Sequence, residues 1–233
     1  MLQSFQRFII HPHLHSSYAN KLFLICNNTQ SLSQFSLQHK TMDSSKKVIT
    51  IVTGNANKLK EINTILGESF PYELVTNGAD LPEYQGDADT VSRQKCESAY
   101  SIIKGPVIVE DTCLCFDALN GLPGPYVKWF LKSIGPEGLH KMLAGFEDHS
   151  AKAMATLAYC DSDKGEVILF KGITAGTIVE PRGQGGFGWD TCFQPSGYDK
   201  TYAEMSADEK NAISHRKRAI EAMRDYFINK SKN

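Results

Sequence analysis

The chain has 233 residues, 41% hydrophobic and 22% charged, enough to bury one substantial core and ordinary for a soluble globular protein. Its 25 Lys and Arg residues against 26 Asp and Glu give no overall positive field, which argues against nucleic acid or an anionic membrane as partner. The six cysteines show no C-x-x-C spacing, so a disulfide scaffold is disfavoured, a reducing compartment fits, and Cys113 and Cys115 read as small residues along a strand.

Residues 1–42 stand apart. They hold no acid, three basic residues (Arg7, Lys21, Lys40) and much Ser and Gln, leaving 22 basic against 26 acidic residues beyond them. The expectation is a leader, either a disordered tail with Met42 as an alternative start or a mitochondrial transit peptide, followed by one domain over 43–233. Leu22 to Cys26 is too short an apolar run to span a bilayer. The His11, His13 and His15 cluster lies in this leader, and metal binding there is disfavoured.

From Val48 onward, strand and helix patterns alternate. Val48–Val52 reads as a buried strand, and Leu59, Ile62, Ile65 and Leu66 form one face of a helix that stops at Gly67. A strand near Tyr72–Thr76, the loop Leu81–Gly86 and a helix from about Thr90 to Ile103 follow. Pro106–Val109 reads as a strand ending at Glu110-Asp111-Thr112. Beyond the Pro/Gly turn at 121–125 come two short helices, then a hairpin near 151–160 and 166–179, a Gly-rich loop from Arg182 to Asp190, and one last helix. The pattern predicts an α/β fold with a mixed central sheet and flanking helices.

Several positions point to phosphate chemistry. Thr53-Gly54-Asn55-Ala56-Asn57-Lys58 sits between a strand and a helix start, where free N–H groups and the helix dipole favour an anion. It is not a Walker loop, since no Gly-Lys-Ser/Thr follows. Glu110 and Asp111, read at a strand's carboxyl end, suggest a hard cation, with Glu83 as a further carboxylate. Lys95 falls inside the apolar stripe Val91, Ala99, Ile102, Ile103. Arg216 falls inside the stripe Ala212, Ala219, Ile220, Met223, Phe227 of a last helix opened by the capping box Ser206/Glu209. One such charge is explained by snorkelling; two favour a charged ligand between the helices. Phe187 and Trp189, set among Gly183, Gly185, Gly186 and Gly188, offer flat faces for a base, although core packing would explain them too. Lys128 and Lys210 read by themselves as surface lysines.

Taken in order, T-G-N-x-x-K at 53–58, L-P-E-Y-Q-G at 81–86, V-E-D-T-C-L at 109–114, G-L-P-G-P-Y at 121–126, F-G-W-D at 187–190, T-Y-A-E-M at 201–205 and E-K-N-A-x-S-H-R at 209–216 are specific. The chain resembles the inosine triphosphate pyrophosphatase family from Val48 to about Phe227. The resemblance implies an elongated, two-lobed single domain around a cleft, assembled as a cytoplasmic homodimer. It implies hydrolysis of ITP, dITP and XTP to the monophosphate and pyrophosphate, which keeps deaminated purines out of DNA and RNA. Thr53–Lys58, Lys95, Lys128 and Lys210 then look like triphosphate contacts, with Thr112 beside them. Glu83 and Asp111 look like a Mg2+ site, which Mn2+ can also occupy, and Asp111 like the catalytic group acting on water. Phe187, Gly188, Trp189 and Asp190 with His215 and Arg216 look like the base pocket. Thr191 and Gln184-Gly185-Gly186 depart from the family pattern in that loop. A silent nucleotide sensor would not need Glu83 and Asp111, whereas a pyrophosphatase for other modified nucleotides would differ in base selectivity.

Overall fold

The computed structural model describes residues 46–68, 70–162 and 165–231; the readings of residues 1–42 lie outside them. Strand β1 (Val48–Val52) pairs in parallel with both β2 (Glu73–Asn77) and β3 (Val107–Phe116). Helices α1 (Ala56–Leu66) and α2 (Ala88–Ile103) make the two crossovers. β4 (Pro123–Gly124), β5 (Ser150–Cys160), β6 (Ile168–Ile178) and β7 (Phe193–Pro195) add antiparallel pairings, giving a seven-stranded mixed sheet of order β2-β1-β3-β5-β6-β7, with β4 against β3. This is the α/β architecture expected. Helix α3 (Val127–Lys141) is broken at Gly135, φ +66°, just before Pro136, so it carries the two helical segments anticipated there.

Side-chain alternation along β3 divides the core. Ile108 faces α1 and the last helix together with Ile49, Ile51, Leu157 and Phe170. Val107 and Val109 face α2 together with Val52, Ala158 and Cys160. Farther along the same long strands, Leu114, Phe116, Ala153 and Ile178 pack with Val127, Leu139, Trp189 and Tyr202 in a separate cluster. Core therefore lies at both ends of β3, β5 and β6, and the middle of β3 runs between the clusters.

Three boundaries differ from expectation. β3 does not stop at Thr112 but continues to Phe116, because β5 pairs with it throughout while β1 leaves after Val109. The last helix is two: α4 (Ala207–Ile213) and α5 (His215–Lys230) meet at Ser214, which ends one and caps the other through its Oγ and the N–H of Lys217, 3.1 Å apart. The Ser206/Glu209 capping box belongs to α4, and Ala212 is exposed rather than part of the inward stripe. On α2, Ile102 is exposed and Cys96 takes its place in the buried stripe.

Candidate active site

A cavity of about 480 Å³ opens where β1 ends and β3 goes on, lined from β1, α2, β3, α3, the 187–190 loop, α4 and α5. Thr53, Gly54, Asn55, Lys58, Glu83, Lys95, Asp111, Thr112, Lys128, Phe187, Gly188, Trp189, Asp190, Lys210, His215 and Arg216 all line it. Ala56 and Asn57 do not; both are exposed at the outer start of α1. The Asn55 carboxamide already accepts from the N–H groups of Asn57 and Lys58, at 3.0 and 3.2 Å. A phosphate would therefore have to take those two amides over from Asn55, and Lys58 is the direct cation of this loop.

The pleat of β3 sends its adjacent acids to opposite faces. Asp111 points toward α2, where the Lys95 ammonium lies 2.9 Å from its Oδ1 and 2.8 Å from Oε2 of Glu83. Lys128, at the start of α3, pairs with the other oxygen of Glu83. Burial works to raise the Glu83 pKa, but the bonds from Lys128 and Lys95 outweigh it and hold the carboxyl below its ordinary value. Burial likewise works against the charge on Lys95, and Asp111 and Glu83 reverse it, raising its pKa. Among the described residues no group of three or more His, Cys, Asp or Glu is placed to hold a metal. Two carboxylates around one cation is the smaller donor set that Mg2+ uses, the rest coming from water and phosphate oxygens. The ammonium of Lys95 stands in for such a cation, so Glu83 and Asp111 fit a hard divalent ion.

Glu110 points the other way and is not available to a metal. Arg216, the second residue of α5, grips it through Nε at 2.9 Å and Nη2 at 2.7 Å, while Lys58 approaches to 3.4 Å. Burial works to raise the Glu110 pKa, and these two cations hold it far below the usual carboxylate range. Arg216 also pairs through Nη1 with Glu61 on α1. The other oxygen of Glu61 takes Lys210 at 3.0 Å, and Lys210 in turn lies 2.6 Å from Asp190. Lys58, Glu110, Arg216, Glu61, Lys210 and Asp190 thus form an alternating chain of charges from the phosphate loop to the aromatic loop. Glu61 was not anticipated. Its only signal is a carboxylate one helical turn beyond Lys58, indistinguishable in sequence from a solvated residue. Lys210 is neither at the surface nor among the phosphate-loop groups: it is buried, 4.5 Å from the centre of the Phe187 ring.

At this aromatic end Phe187 is half-buried, whereas Trp189 is mostly spent on core packing against Phe193 and Tyr202. The His215 ring packs against both Trp189 (5.5 Å, 33°) and Tyr202 (6.0 Å, 24°), which also touch each other, so the three rings form a triangular cluster. It is 2% exposed, and both its ring nitrogens lack a hydrogen-bond partner among the described residues. Burial, then the neighbouring Arg216, pushes its pKa well below the ordinary value, so the imidazole is neutral. Burial raises the pKa of Asp190 against the pull of Lys210. Asp190 also accepts from the Phe187 N–H at 2.8 Å, and a Cβ on Gly186 (φ +69°) would lie 2.3 Å from its Oδ2. Gly186, one of the departures from the common loop, is therefore required for the loop to close on Asp190.

Fold and cavity together define an α/β protein whose cleft joins a lysine-and-carboxylate end to an aromatic end, at a size suited to a small-molecule ligand. The Ham1 family model matches residues 49–226, and the chain belongs to the Ham1 family. It is similar to the Ham1 protein of Staphylococcus aureus, at 28% identity and a TM-score of 0.69 over 79% of this chain and 100% of that one. A nucleoside-triphosphatase, or dITP/XTP pyrophosphatase, of Mycobacterium abscessus is also 28% identical, with a TM-score of 0.60 over 76% and 98% of the two chains. A HAM1 protein from Coxiella burnetii, 24% identical with a TM-score of 0.72 over 78% and 99%, shares the fold.

Proposed function

We propose that the chain hydrolyses purine nucleoside triphosphates carrying a deaminated base (ITP, dITP and XTP) between the α and β phosphates. Water adds across that P–O–P bridge to give the nucleoside monophosphate and pyrophosphate, which clears such nucleotides before they enter DNA or RNA. The observation that carries this reading is the two-ended cleft: Lys58, Lys95 and Lys128 with two carboxylates at one end, and Phe187 together with a buried, neutral imidazole that has no hydrogen-bond partner among the described residues at the other. The similar dITP/XTP pyrophosphatase of Mycobacterium abscessus supports it.

In this reading Glu83 and Asp111 would hold Mg2+ or Mn2+, which when bound supplies positive charge against the phosphate oxygens. The lysines bind and neutralise the triphosphate, and Asp111 orients a water and accepts its proton. At the base end the geometry favours a different residue as reader of the 6-oxo group. Arg216 spends its guanidinium on Glu110 and Glu61, so it acts as the post that fixes both acids. His215, with two free nitrogens, is the side-chain donor left for the base. A neutral imidazole donates at one nitrogen, and the 6-oxo acceptor of hypoxanthine and xanthine can receive that bond, whereas the 6-amino group of adenine is itself a donor. To meet adenine that nitrogen would need the opposite tautomer, and the further donors toward position 6 would be the glycine-loop amides, which cannot switch. Guanine shares the 6-oxo group, so its exclusion depends on the treatment of its 2-amino group. The reading also includes a cytoplasmic homodimer that takes a free nucleotide and binds neither polynucleotide nor membrane.

Pyrophosphate release from a panel of triphosphates tests it. ITP and XTP are expected to exceed ATP in kcat/KM by about 10²-fold or more, the range reached when a buried site leaves polar groups unpaired against the wrong base. GTP is expected to be poor for its separate reason. Equal efficiency with ATP and ITP would remove the base-pocket assignment, and release of orthophosphate instead of pyrophosphate would remove the reaction.

A further inference from the structure

Glu83 and Asp111 come from separate elements, the loop before α2 and the middle of β3, and two carboxylates facing one space repel each other unless a cation lies between. Lys95 supplies it, bonded to both at 2.8 and 2.9 Å, while Lys128 takes the outer oxygen of Glu83. The four charges cancel. Lys95 and Asp111 keep only 14% and 8% of their side chains exposed, so this pairing is little screened by solvent, whereas Lys128 is 64% exposed and its pairing is weak. A divalent cation held by the same two inner oxygens would need the space that the Lys95 ammonium fills.

We infer that Lys95 is a placeholder for the metal, so that the site accepts the metal–triphosphate chelate as one ligand and refuses the free metal. The inference rests on the proposed role of Glu83 and Asp111. Expelling the ammonium with no new partner would strand a half-buried charge beside an incoming dication, and that cost opposes free-metal binding. A triphosphate changes the balance, because its oxygens give the displaced ammonium an acceptor. The flexible four-carbon stem of Lys95 lets it move from carboxylate to phosphate without moving α2. Metal and polyphosphate are thereby coupled through one side chain, each raising the affinity for the other by the same factor. The device also keeps the acids compensated and the empty cleft closed to adventitious cations.

The test is Mn2+ binding to the nucleotide-free protein, read from the electron paramagnetic resonance signal of free Mn2+. Wild type is expected to bind weakly. Lys95→Met and Lys95→Gln are expected to bind at least about tenfold more tightly, within the range of ordinary coupling energies. Lys128→Met, which removes the same charge from the outer oxygen of Glu83, is expected to tighten binding far less. Circular dichroism identifies a variant that has not folded, and two Lys95 replacements keep the test available if one fails. Equal tightening by the Lys95 and Lys128 changes would reduce the effect to net charge and overturn the placeholder. No tightening by either Lys95 variant would also overturn it, with the metal site intact if Asp111→Asn still abolishes binding. Unchanged Mn2+ binding in Asp111→Asn would instead remove the metal site itself.

Discussion

At the scale of single residues, the site is decided by which face of β3 each acid takes. Two adjacent acids after an apolar run suggest a shared metal site in sequence, and the pleat assigns them opposite tasks: Asp111 meets Lys95, and Glu110 anchors Arg216. His215 is set by its surroundings in a comparable way. Packed against Trp189 and Tyr202 and next to Arg216, it is held neutral by burial first and by the guanidinium second. The consequence for stability has a definite sign. The unfolded chain binds a proton at His215 below about pH 6.5, whereas the folded chain does so only well below that value, so the native state binds fewer protons and loses stability as pH falls through this window. The melting temperature is therefore expected to drop between pH 7.5 and 5.5. In His215→Phe, which keeps a flat ring in the cluster but cannot be protonated, the slope is expected to be shallower. Parallel melting curves for the two proteins would show that the imidazole is not held neutral by the fold.

At the scale of elements, the start of α5 is held in place by an absence. Helix α5 crosses β6 at Gly172, where a Cβ would lie 2.0 Å from the carbonyl oxygen of His215 and 2.4 Å from the N–H nitrogen of Ala219. Gly172 lets the helix backbone rest on the strand, and so fixes how far His215 and Arg216 reach into the cleft. Gly172→Ala must push α5 away. A loss of about 1–3 kcal/mol is expected from overpacking, seen as a lower denaturant midpoint. Turnover of ITP should fall by more than that stability loss explains while the protein is still folded. Wild-type turnover at a temperature where the variant is fully native would show that α5 does not set the site. No sequence pattern marks this glycine, because it is one residue of a regular strand and its partner lies some 40 positions away. Local signals elsewhere were legible: the stop at Gly67, the capping box at Ser206/Glu209 and the period of α1 all act within a turn of helix. Ser214 was missed because a serine inside a continuous amphipathic pattern ends one helix and starts another only when tertiary packing forces the corner. Glu61 was missed, and the burial of Lys210 between Glu61 and Asp190 was not foreseen, for the same reason, their partners being set by tertiary approach rather than by spacing.

At the scale of the whole chain, the family match defines a unit from residue 49 to 226 and leaves the acid-free stretch 1–42 outside it. The structure sharpens where that unit must begin. Lys46 reaches back to the carbonyl oxygens of Glu68 and Phe70, at 3.5 and 3.1 Å, tying the entry of β1 to the end of α1. The carbonyl of Lys47 accepts from the N–H of Glu73 at 3.0 Å and so starts the pairing of β1 with β2. These contacts lie outside the family match and before the first apolar residue, where nothing in the sequence marks them as structural. Two truncations follow with different outcomes. Removal of residues 1–41 keeps Lys46 and Lys47, and both turnover and melting temperature are expected to stay near wild type, within about 2 °C. Removal of residues 1–47 deletes three hydrogen bonds, each contributing on the order of 1 kcal/mol. In a domain of this size each such loss lowers the melting temperature by about 2–4 °C, so a fall of several degrees is expected, with turnover of ITP at low temperature retained because the cleft lies at the opposite end of β1. A large loss from the shorter truncation would mean that the leader contributes to the fold, and identical melting of the two truncations would place the boundary at Val48.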